Sequence, residues 1–293
     1  MAEYPMIAAV DGSASSDQAV VWAAVEAGLR RRPLQLLTSV ASAAGFAPGT
    51  TLAEADTESL RRDGDEVLAA AVRTARAATP AELDLETEVT FERITPALID
   101  RSDRASMIVL GSHGRGALRR GLLGSVSSAL VRHARCPVAV IHDSAGIDPE
   151  SAAQPILVGV DGTKNSVPAI EFAFAEAALR GVGVTALHTW TDVTGLDVPV
   201  PGWDAVQDTE RALLGEQLAG YRERYPDVAV RSIVAPDRPV RALLDESADA
   251  QLIVVGSHGR GGFAGMLLGS TSAALVHSAE RPIVVVRDAE SIR

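Results

Sequence analysis

Cysteine, lysine and aromatic residues are scarce in this sequence. Cys136 is the only cysteine, so the chain can form no internal disulfide and no metal site made of several cysteines. This cysteine stands directly before Pro137 at the start of an apolar segment. That position favours a buried structural thiol over a nucleophile.

Positive charge is also in short supply. The chain has 27 basic and 38 acidic residues, which gives a formal charge of −11, and Lys164 is its single lysine. Proteins that bind nucleic acid usually present a basic face. The charge balance therefore argues against a DNA or RNA partner.

Long apolar segments are absent as well. No run approaches the roughly 18–20 residues that a membrane-spanning helix needs. The apolar residues 6–10 are too few for the core of a signal peptide, and no basic segment introduces them. We therefore expect a cytoplasmic protein without a membrane span.

What the sequence does contain is an internal repeat. Val-Asp-Gly-Ser at residues 10–13 returns as Val-Asp-Gly-Thr at residues 160–163. A glycine-rich stretch at residues 111–125 returns at residues 256–270. A fixed repeat of this kind indicates duplicated structural units, and 293 residues are enough for two.

The repeat sets the expected domain boundaries. We expect homologous domains at residues 1–142 and 155–293. Residues 143–154 between them are rich in alanine, serine, aspartate and proline, which is typical of a linker.

Within each copy, short apolar segments alternate with helical patterns. In the first copy the pattern predicts strands at residues 6–10, 34–40, 85–91, 107–110 and 137–141. It predicts helices ending near residue 32 and spanning residues 53–78, 96–102 and 125–134, with Ser16 or Asp17 capping the first. The fold class is therefore α/β, with two tandem domains, each an open parallel five-stranded sheet covered by helices on both faces in a Rossmann-like arrangement. In such a sheet a ligand lies beyond the carboxyl ends of the strands, where the winding direction changes.

The glycine-rich stretches follow the fourth strand of each copy. Each reads Gly-x-x-Gly, then nine residues, then Gly-Ser, as at Gly111, Gly114, Gly124 and Ser125. Glycines expose the backbone and accept the positive φ angles that direct several N–H groups into one concavity. We expect the serine to cap the next helix, whose N-terminus favours an anion. Two copies with the same spacing predict two anion sites.

An aspartate leaves the first strand of each copy. Asp11 and Asp161 could accept hydrogen bonds from a ribose or reach a phosphate-bound Mg²⁺. Alternatively, Asp-Gly-Ser simply makes a turn and caps the helix. The presence of a glycine loop in both copies favours the functional interpretation, and Ala9 and Gly159 just upstream are small enough for a ligand to lie close.

Other nucleotide motifs do not fit. A P-loop requires Gly-x-x-x-x-Gly-Lys-Ser/Thr, and Lys164 has no such glycines before it. The dinucleotide pattern Gly-x-Gly-x-x-Gly is missing after the first strand. His113 and His258 could act as a base or touch phosphate, but neither has an acidic partner at motif spacing, and a solvated loop histidine is the alternative.

These motifs resemble the universal stress protein family in its tandem two-domain form. The resemblance covers nearly the whole chain and includes the Cys-Pro or Arg-Pro start of the fifth strand. The glycine spacing is that of the family's ATP-binding branch. It implies that Asp11 and Asp161 lie at the ribose or a metal, and that the backbone near Val40 and Trp190 meets adenine. Asp192 would approach the second nucleotide, where the first copy has Ser42.

The implied sites can be stated residue by residue. The ATP site of the first domain would comprise Ala9, Asp11, Val40, Gly111, Ser112, His113, Gly114, Arg115, Gly116, Ala117, Gly124, Ser125 and Val126. The ATP site of the second domain would comprise Gly159, Asp161, Trp190, Asp192, Gly256, Ser257, His258, Gly259, Arg260, Gly261, Gly262, Gly269, Ser270, Thr271 and Ser272.

The implied function is nucleotide-dependent regulation or sensing in a stress response, with one ATP per domain and Mg²⁺ as an accompanying ion. No residue found here requires catalysis. One alternative is a slow ATPase or phosphotransferase that uses Asp11 or Asp161 with Mg²⁺. Another is a nucleotide-free scaffold that acts through dimerisation.

The fifth strands bear on the assembly. An apolar strand at a sheet edge promotes association unless it is covered. We expect the two fifth-strand edges to pair in a pseudo-twofold arrangement within each chain, and the chain to form a homodimer.

Overall fold

A computed structural model describes residues 4–41, 54–114, 123–143, 145, 149–190, 203–260 and 267–287. The chain divides into two compact units, residues 1–145 and 146–293. Among the described residues, no helix combines the length and the apolar character that crossing a membrane requires.

Unit 1 alternates strands and helices along its described residues. In chain order its main elements are β1 (Met6–Ala9), α1 (Ala14–Arg30), β2 (Leu34–Ser39), α2 (Glu54–Ala78), β3 (Leu85–Thr90), α3 (Ile94–Arg101), β4 (Met107–Gly111), α4 (Ser125–His133) and β5 (Val138–Ile141).

Unit 2 repeats this order after a short first helix. Its elements are α5 (Pro149–Ala152), β6 (Ile156–Val160), α6 (Val167–Arg180), β7 (Val184–Thr189), α7 (Trp203–Arg224), β8 (Val230–Ala235), α8 (Pro239–Ser247), β9 (Leu252–Gly256), α9 (Ser270–Ser278) and β10 (Ile283–Val286).

The sheets confirm the fold predicted from the sequence. In unit 1 the strand order is β3-β2-β1-β4-β5 and every pairing is parallel. Unit 2 has the order β10-β9-β6-β7-β8, again with parallel pairing. Winding changes direction between β1 and β4 and between β6 and β9. The carboxyl ends of these strand pairs therefore form the crevice in which a ligand of this fold binds.

Burial explains why the fourth and fifth strands of each unit are apolar throughout. All four residues of β5 and of β10 are buried, as are the first four of β4 and of β9. Helices α1 and α2 pack together beside the sheet of unit 1, and α3 packs against α4. A strand covered on both faces gains from apolar residues at every position. The expected pairing between the edges of the fifth strands stays a prediction.

Each unit also buries a carboxylate in its first long helix. Glu26 in α1 and Glu176 in α6 are fully buried, and each pairs with the arginine four residues later. The Nε of Arg180 lies 2.6 Å from Oε1 of Glu176, and its Nη1 lies 3.2 Å from Oε1 of Gln251. Because a buried carboxylate is costly without a cation beside it, Arg180 is a structural requirement of unit 2.

Replacing Arg180 should therefore destabilise the protein. Arg180→Met removes the cation next to Glu176, and we expect the free energy of unfolding to fall by about 3–5 kcal/mol in urea denaturation. A matched control is Arg224→Met, because Arg224 pairs with Glu171 at 3.0 Å on the exposed surface. The control should change stability little, and equal effects of the two substitutions would contradict the account.

Cys136 is a buried thiol, as its position before Pro137 predicts. Its side chain lies just before β5 and is 6% exposed. Burial raises the pKa of Cys136 to about 12. Since the thiolate is the reactive form, the folded protein should hold this thiol inert.

A thiol reagent can test this burial. At pH 8 the native protein should react with Ellman's reagent far more slowly than the urea-unfolded chain, which should release one equivalent for its one cysteine. Full reaction of the native protein on the timescale of the unfolded chain would show that Cys136 is accessible.

Candidate functional site

The turn after β1 is built around Asp11. Its Oδ1 accepts hydrogen bonds from the backbone N–H of Ser13 at 3.0 Å and from the Ser13 hydroxyl at 2.6 Å. Gly12 adopts a φ of 74°, a conformation that suits glycine and lets the chain reverse at once. Ser13 then caps α1, since its Oγ accepts from the N–H of Ser16 at 3.3 Å. The expected caps, Ser16 and Asp17, are therefore wrong by one turn.

The turn after β6 repeats this design. Oδ1 of Asp161 accepts from the N–H of Thr163 at 2.8 Å and from the hydroxyl of Ser166 at 2.6 Å. Gly162 has a φ of 80°. Oδ1 of each aspartate therefore serves the turn, as the turn-forming interpretation expects, and in unit 2 the Thr163 hydroxyl also donates to Oδ2 of Asp161 at 2.9 Å. The functional question is the direction of Oδ2, the second oxygen of each carboxylate.

That second oxygen faces the glycine loop in both units. A Cβ placed on Gly114 would lie 2.5 Å from Oδ2 of Asp11, and one on Gly259 would lie 3.5 Å from Oδ2 of Asp161. The structure therefore confirms that the loops after the first and fourth strands meet. Only glycine lets the backbone approach the carboxylate this closely in unit 1.

The glycine at the start of each loop is also packed tightly. A Cβ on Gly111 would lie 2.8 Å from the backbone carbon of Ser15, and one on Gly256 would lie 2.9 Å from the carbonyl oxygen of Asn165. These glycines let the end of β4 touch the first turn of α1, and the end of β9 touch the residues just before α6. Their role is close packing of the backbone.

The second half of each loop returns to its first half. The N–H of Gly124 donates to the carbonyl of Ser112 at 2.6 Å, and the N–H of Gly269 donates to Ser257 at 2.7 Å. This bond holds the two ends of each loop together and so closes the loop at its neck.

The helix that follows begins where expected, but its cap lies one residue earlier than expected. Gly124 and Gly269 are the N-caps of α4 and α9, and neither provides a side-chain cap. The expectation that Ser125 and Ser270 cap these helices is wrong, since each is the first helical residue. A glycine cap leaves the first helical N–H groups without a side-chain partner, which is the arrangement that suits an anion.

Two serines hold α4 and α9 to the ends of the strands that precede them. Ser127 donates to the carbonyl of Gly111 at 2.7 Å, and Ser272 donates to that of Gly256 at 2.6 Å. Ser272 was among the predicted site residues, whereas Ser127 was not. Both are buried and tie the helix to the strand end, so their position is structural.

His113 has an acidic partner after all. Its Nδ1 lies 2.9 Å from the hydroxyl of Ser112, and its Nε2 lies 3.1 Å from Oδ2 of Asp143, the first residue of the expected linker. Ser112 is 3% exposed, so it cannot meet a substrate as a nucleophile. The set therefore fixes the histidine ring. In unit 2, His258 makes the equivalent contact, with its Nδ1 3.0 Å from the hydroxyl of Ser257.

Arg260 lies over the end of β6. Its Nε donates to the carbonyl of Asp161, and its Nη2 lies 3.1 Å from Nε2 of His188. The same Nη2 lies 3.5 Å from Oε2 of Glu210. Neither His188 nor Glu210 was predicted from the sequence.

The residues expected near adenine lie at the ends of β2 and β7. Val40 is buried and its N–H donates to the carbonyl of Thr90 at 3.0 Å, so that N–H is already engaged. Trp190 is half-buried directly after β7. Ala9 ends β1, and Gly159 lies near the end of β6. A Cβ on Gly159 would lie 3.2 Å from Leu243, which shows that its small size allows α8 to pack.

The remaining predicted residues divide into two groups. Ser125, Val126, Ser270 and Thr271 lie in the first turns of α4 and α9, where Ser125 and Ser270 are exposed. Six others lie outside the described residues: Arg115, Gly116, Ala117, Asp192, Gly261 and Gly262.

A groove of about 460 Å³ opens beside Gly12 in unit 1. Its lining includes the carboxylates of Asp17, Asp63 and Glu66, from α1 and α2. This negative side repels phosphate, so an anion is favoured on the side of the glycine loop. Among the described residues, no group of three or more histidine, cysteine, aspartate or glutamate side chains is placed to hold a metal ion.

Comparison with known proteins decides the family. The model of the universal stress protein family matches residues 5–142 and again residues 153–287. The chain belongs to the universal stress protein family. It is 45% identical over 287 residues to a universal stress protein of Mycobacterium tuberculosis, covering 97% of both chains. It is 43% identical over 294 residues to one of Mycolicibacterium smegmatis, again covering 97% of both.

The fold is shared more widely within the universal stress proteins. The crystal structure of one from Archaeoglobus fulgidus matches with a TM-score of 0.66 at 20% identity, covering 98% of this chain and 99% of that one. The family resemblance inferred from the two glycine loops is therefore confirmed, and so is the tandem arrangement.

Proposed function

We propose that each unit of this universal stress protein binds one ATP at the carboxyl ends of its strands. The observation that carries the proposal is the meeting of three features at one place in each unit. An aspartate oxygen faces the glycine loop, the loop is closed at its neck, and the next helix begins at a glycine without a side-chain cap. Uncapped helical N–H groups and an exposed glycine backbone suit phosphate oxygens.

The aspartates fit a role beside a phosphate-bound Mg²⁺. Oδ2 of Asp11 faces the position of Gly114, so a cation between carboxylate and phosphate would gain oxygen ligands from both. The described residues offer no complete protein cage for a metal ion. Mg²⁺ would therefore arrive with the nucleotide and rely on its phosphates and water for most of its ligands.

The base and ribose would extend from the phosphates toward β2 or β7. Val40 and Trp190 stand at the ends of these strands, next to the turns of Asp11 and Asp161 in sheet order. The N–H of Val40 is engaged by Thr90, so contact with adenine at this point would use other backbone groups or apolar side-chain surface.

The role we propose is regulation or sensing in a stress response. A bound nucleotide controls a protein by favouring one conformation over another through a difference in affinity. We further propose a cytoplasmic protein whose two fifth-strand edges pair within each chain, since an apolar edge strand needs cover. We also propose that the chain forms a homodimer.

The geometry gives less support to a slow ATPase. Oδ1 of Asp11 accepts within the turn and both ring nitrogens of His113 have partners, so we assign Oδ2 of Asp11, which faces the loop, to the bound Mg²⁺ rather than to proton transfer. The nucleotide-free scaffold remains the direct competitor, because tight packing explains some of the loop glycines without any ligand.

Nucleotide released from the purified protein tests this proposal. We expect about two ATP per chain after denaturation and chromatography, and loss of both in the variant Gly114→Glu plus Gly259→Glu. The new side chains would fill the space beside Asp11 and Asp161 and add negative charge where phosphate is proposed. Recovery of intact ATP would favour sensing over hydrolysis.

The matched control is Gly215→Glu plus Gly220→Glu. Both glycines lie in α7 with open space around them, so the same substitutions add the same charge away from the loops. The control should retain nucleotide. Nucleotide-free protein that also fails to bind added ATP and Mg²⁺ would overturn the proposal and leave the scaffold.

A further inference from the structure

Three side chains from distant parts of unit 2 converge beside the second glycine loop. They are His188 at the end of β7, Glu210 in α7 and Arg260 in the loop, and we call them the arginine latch. His188 is 1% exposed, whereas the side chain of Arg260 is 41% exposed. The latch thus joins a buried histidine to an arginine that can still reach solvent.

The hydrogen atoms of His188 follow from its contacts. Its Nδ1 lies 2.7 Å from the carbonyl oxygen of Val160, and because a carbonyl only accepts, Nδ1 carries a hydrogen. Its Nε2 lies 3.1 Å from Nη2 of Arg260 and 2.9 Å from Oε2 of Glu210. One ring nitrogen therefore faces both a donor and an acceptor.

Nε2 cannot serve both partners at once. In the neutral ring it accepts from Arg260, and Glu210 then has Arg260 as its charged partner. Arg260 and Glu210 are thus ionic partners beside the buried imidazole, and a ligand phosphate at Arg260 would compete with this carboxylate.

Arg260 also lies beside the proposed phosphate site. It follows Gly259, which faces Oδ2 of Asp161, and its Nε holds the carbonyl of that same aspartate. Arginine recognises phosphate through its fork of N–H groups. In the latch, part of that fork is turned toward Glu210 instead.

The described part of unit 1 lacks counterparts of the two residues that hold Arg260. Thr38 stands in β2 where β7 has His188. Buried Leu68 in α2 corresponds to buried Leu214 in α7, and four residues before each stand Gly64 and Glu210. A Cβ on Gly64 would lie 2.8 Å from Val89, so a glutamate does not fit there. The two sites therefore differ in charge.

We infer that Glu210 and His188 are specificity-determining residues of the second site, which hold Arg260 until a ligand phosphate replaces Glu210 as its partner. This inference rests on the proposed nucleotide function and adds to it a preference for one class of nucleotide. The second site selects adenine nucleotides that carry several phosphates, because only these supply an anion strong enough to take Arg260 from Glu210.

Glu210→Gln tests the latch when the first site is blocked by Gly114→Glu. Titration calorimetry of the full chain should show ATP binding about threefold to tenfold tighter, because the competing carboxylate is gone, with adenosine binding unchanged. The matched control is Glu216→Gln, an exposed position in α7 that loses the same charge away from Arg260. It should leave both affinities unchanged.

Arg260→Gln, alone and together with Glu210→Gln, completes a double-mutant cycle. It should weaken ATP binding and abolish the effect of Glu210→Gln, since the two residues act through one contact. A gain that persists without Arg260, or an equal change in ATP and adenosine affinity, would overturn the latch while leaving nucleotide binding intact. Absence of ATP and adenosine binding in every chain, including the parent, would overturn the proposed function and the latch together.

Discussion

The contact between an aspartate and a glycine loop is the constraint on which each unit depends. A parallel sheet brings the ends of β1 and β4 together at the point where winding reverses. Oδ1 of Asp11 accepts a hydrogen bond in the turn that starts α1, and its Oδ2 faces Gly114. A side chain larger than hydrogen at that glycine would displace the carboxylate. The local turn and the long-range packing of the loop are therefore fixed by a single group.

The two units share this framework and differ in its charge. In unit 1 the turn opens onto a groove lined by carboxylates of α1 and α2. In unit 2 the corresponding turn is covered by Arg260, which Glu210 and His188 hold from neighbouring elements. Duplication has thus preserved the backbone that suits phosphate while the surrounding side chains diverged. On the proposed function, two such sites respond to different forms of a nucleotide.

Sequence alone predicted what depends on local pattern and repetition. The parallel sheets and the meeting of the loops follow from apolar segments and duplicated glycines. The start of α1 was placed too late because Gly12 turns the chain early, which makes Ser13 the cap. The cap of α4 was misplaced by one residue because Gly124 occupies the position expected of Ser125. The arginine latch had no sequence signal, since His188 and Glu210 are 72 and 50 residues from Arg260 along the chain. Only the folded sheet brings them together.

Hydrogen exchange with and without saturating ATP and Mg²⁺ tests the central claim most directly, because it reads both loops in one native chain. The account predicts slower exchange in peptides that cover residues 111–125 and 256–270 and in the turns after Asp11 and Asp161, with little change at the opposite ends of the strands. Unchanged exchange at both loops under saturating nucleotide, or protection confined to a surface remote from them, would contradict it.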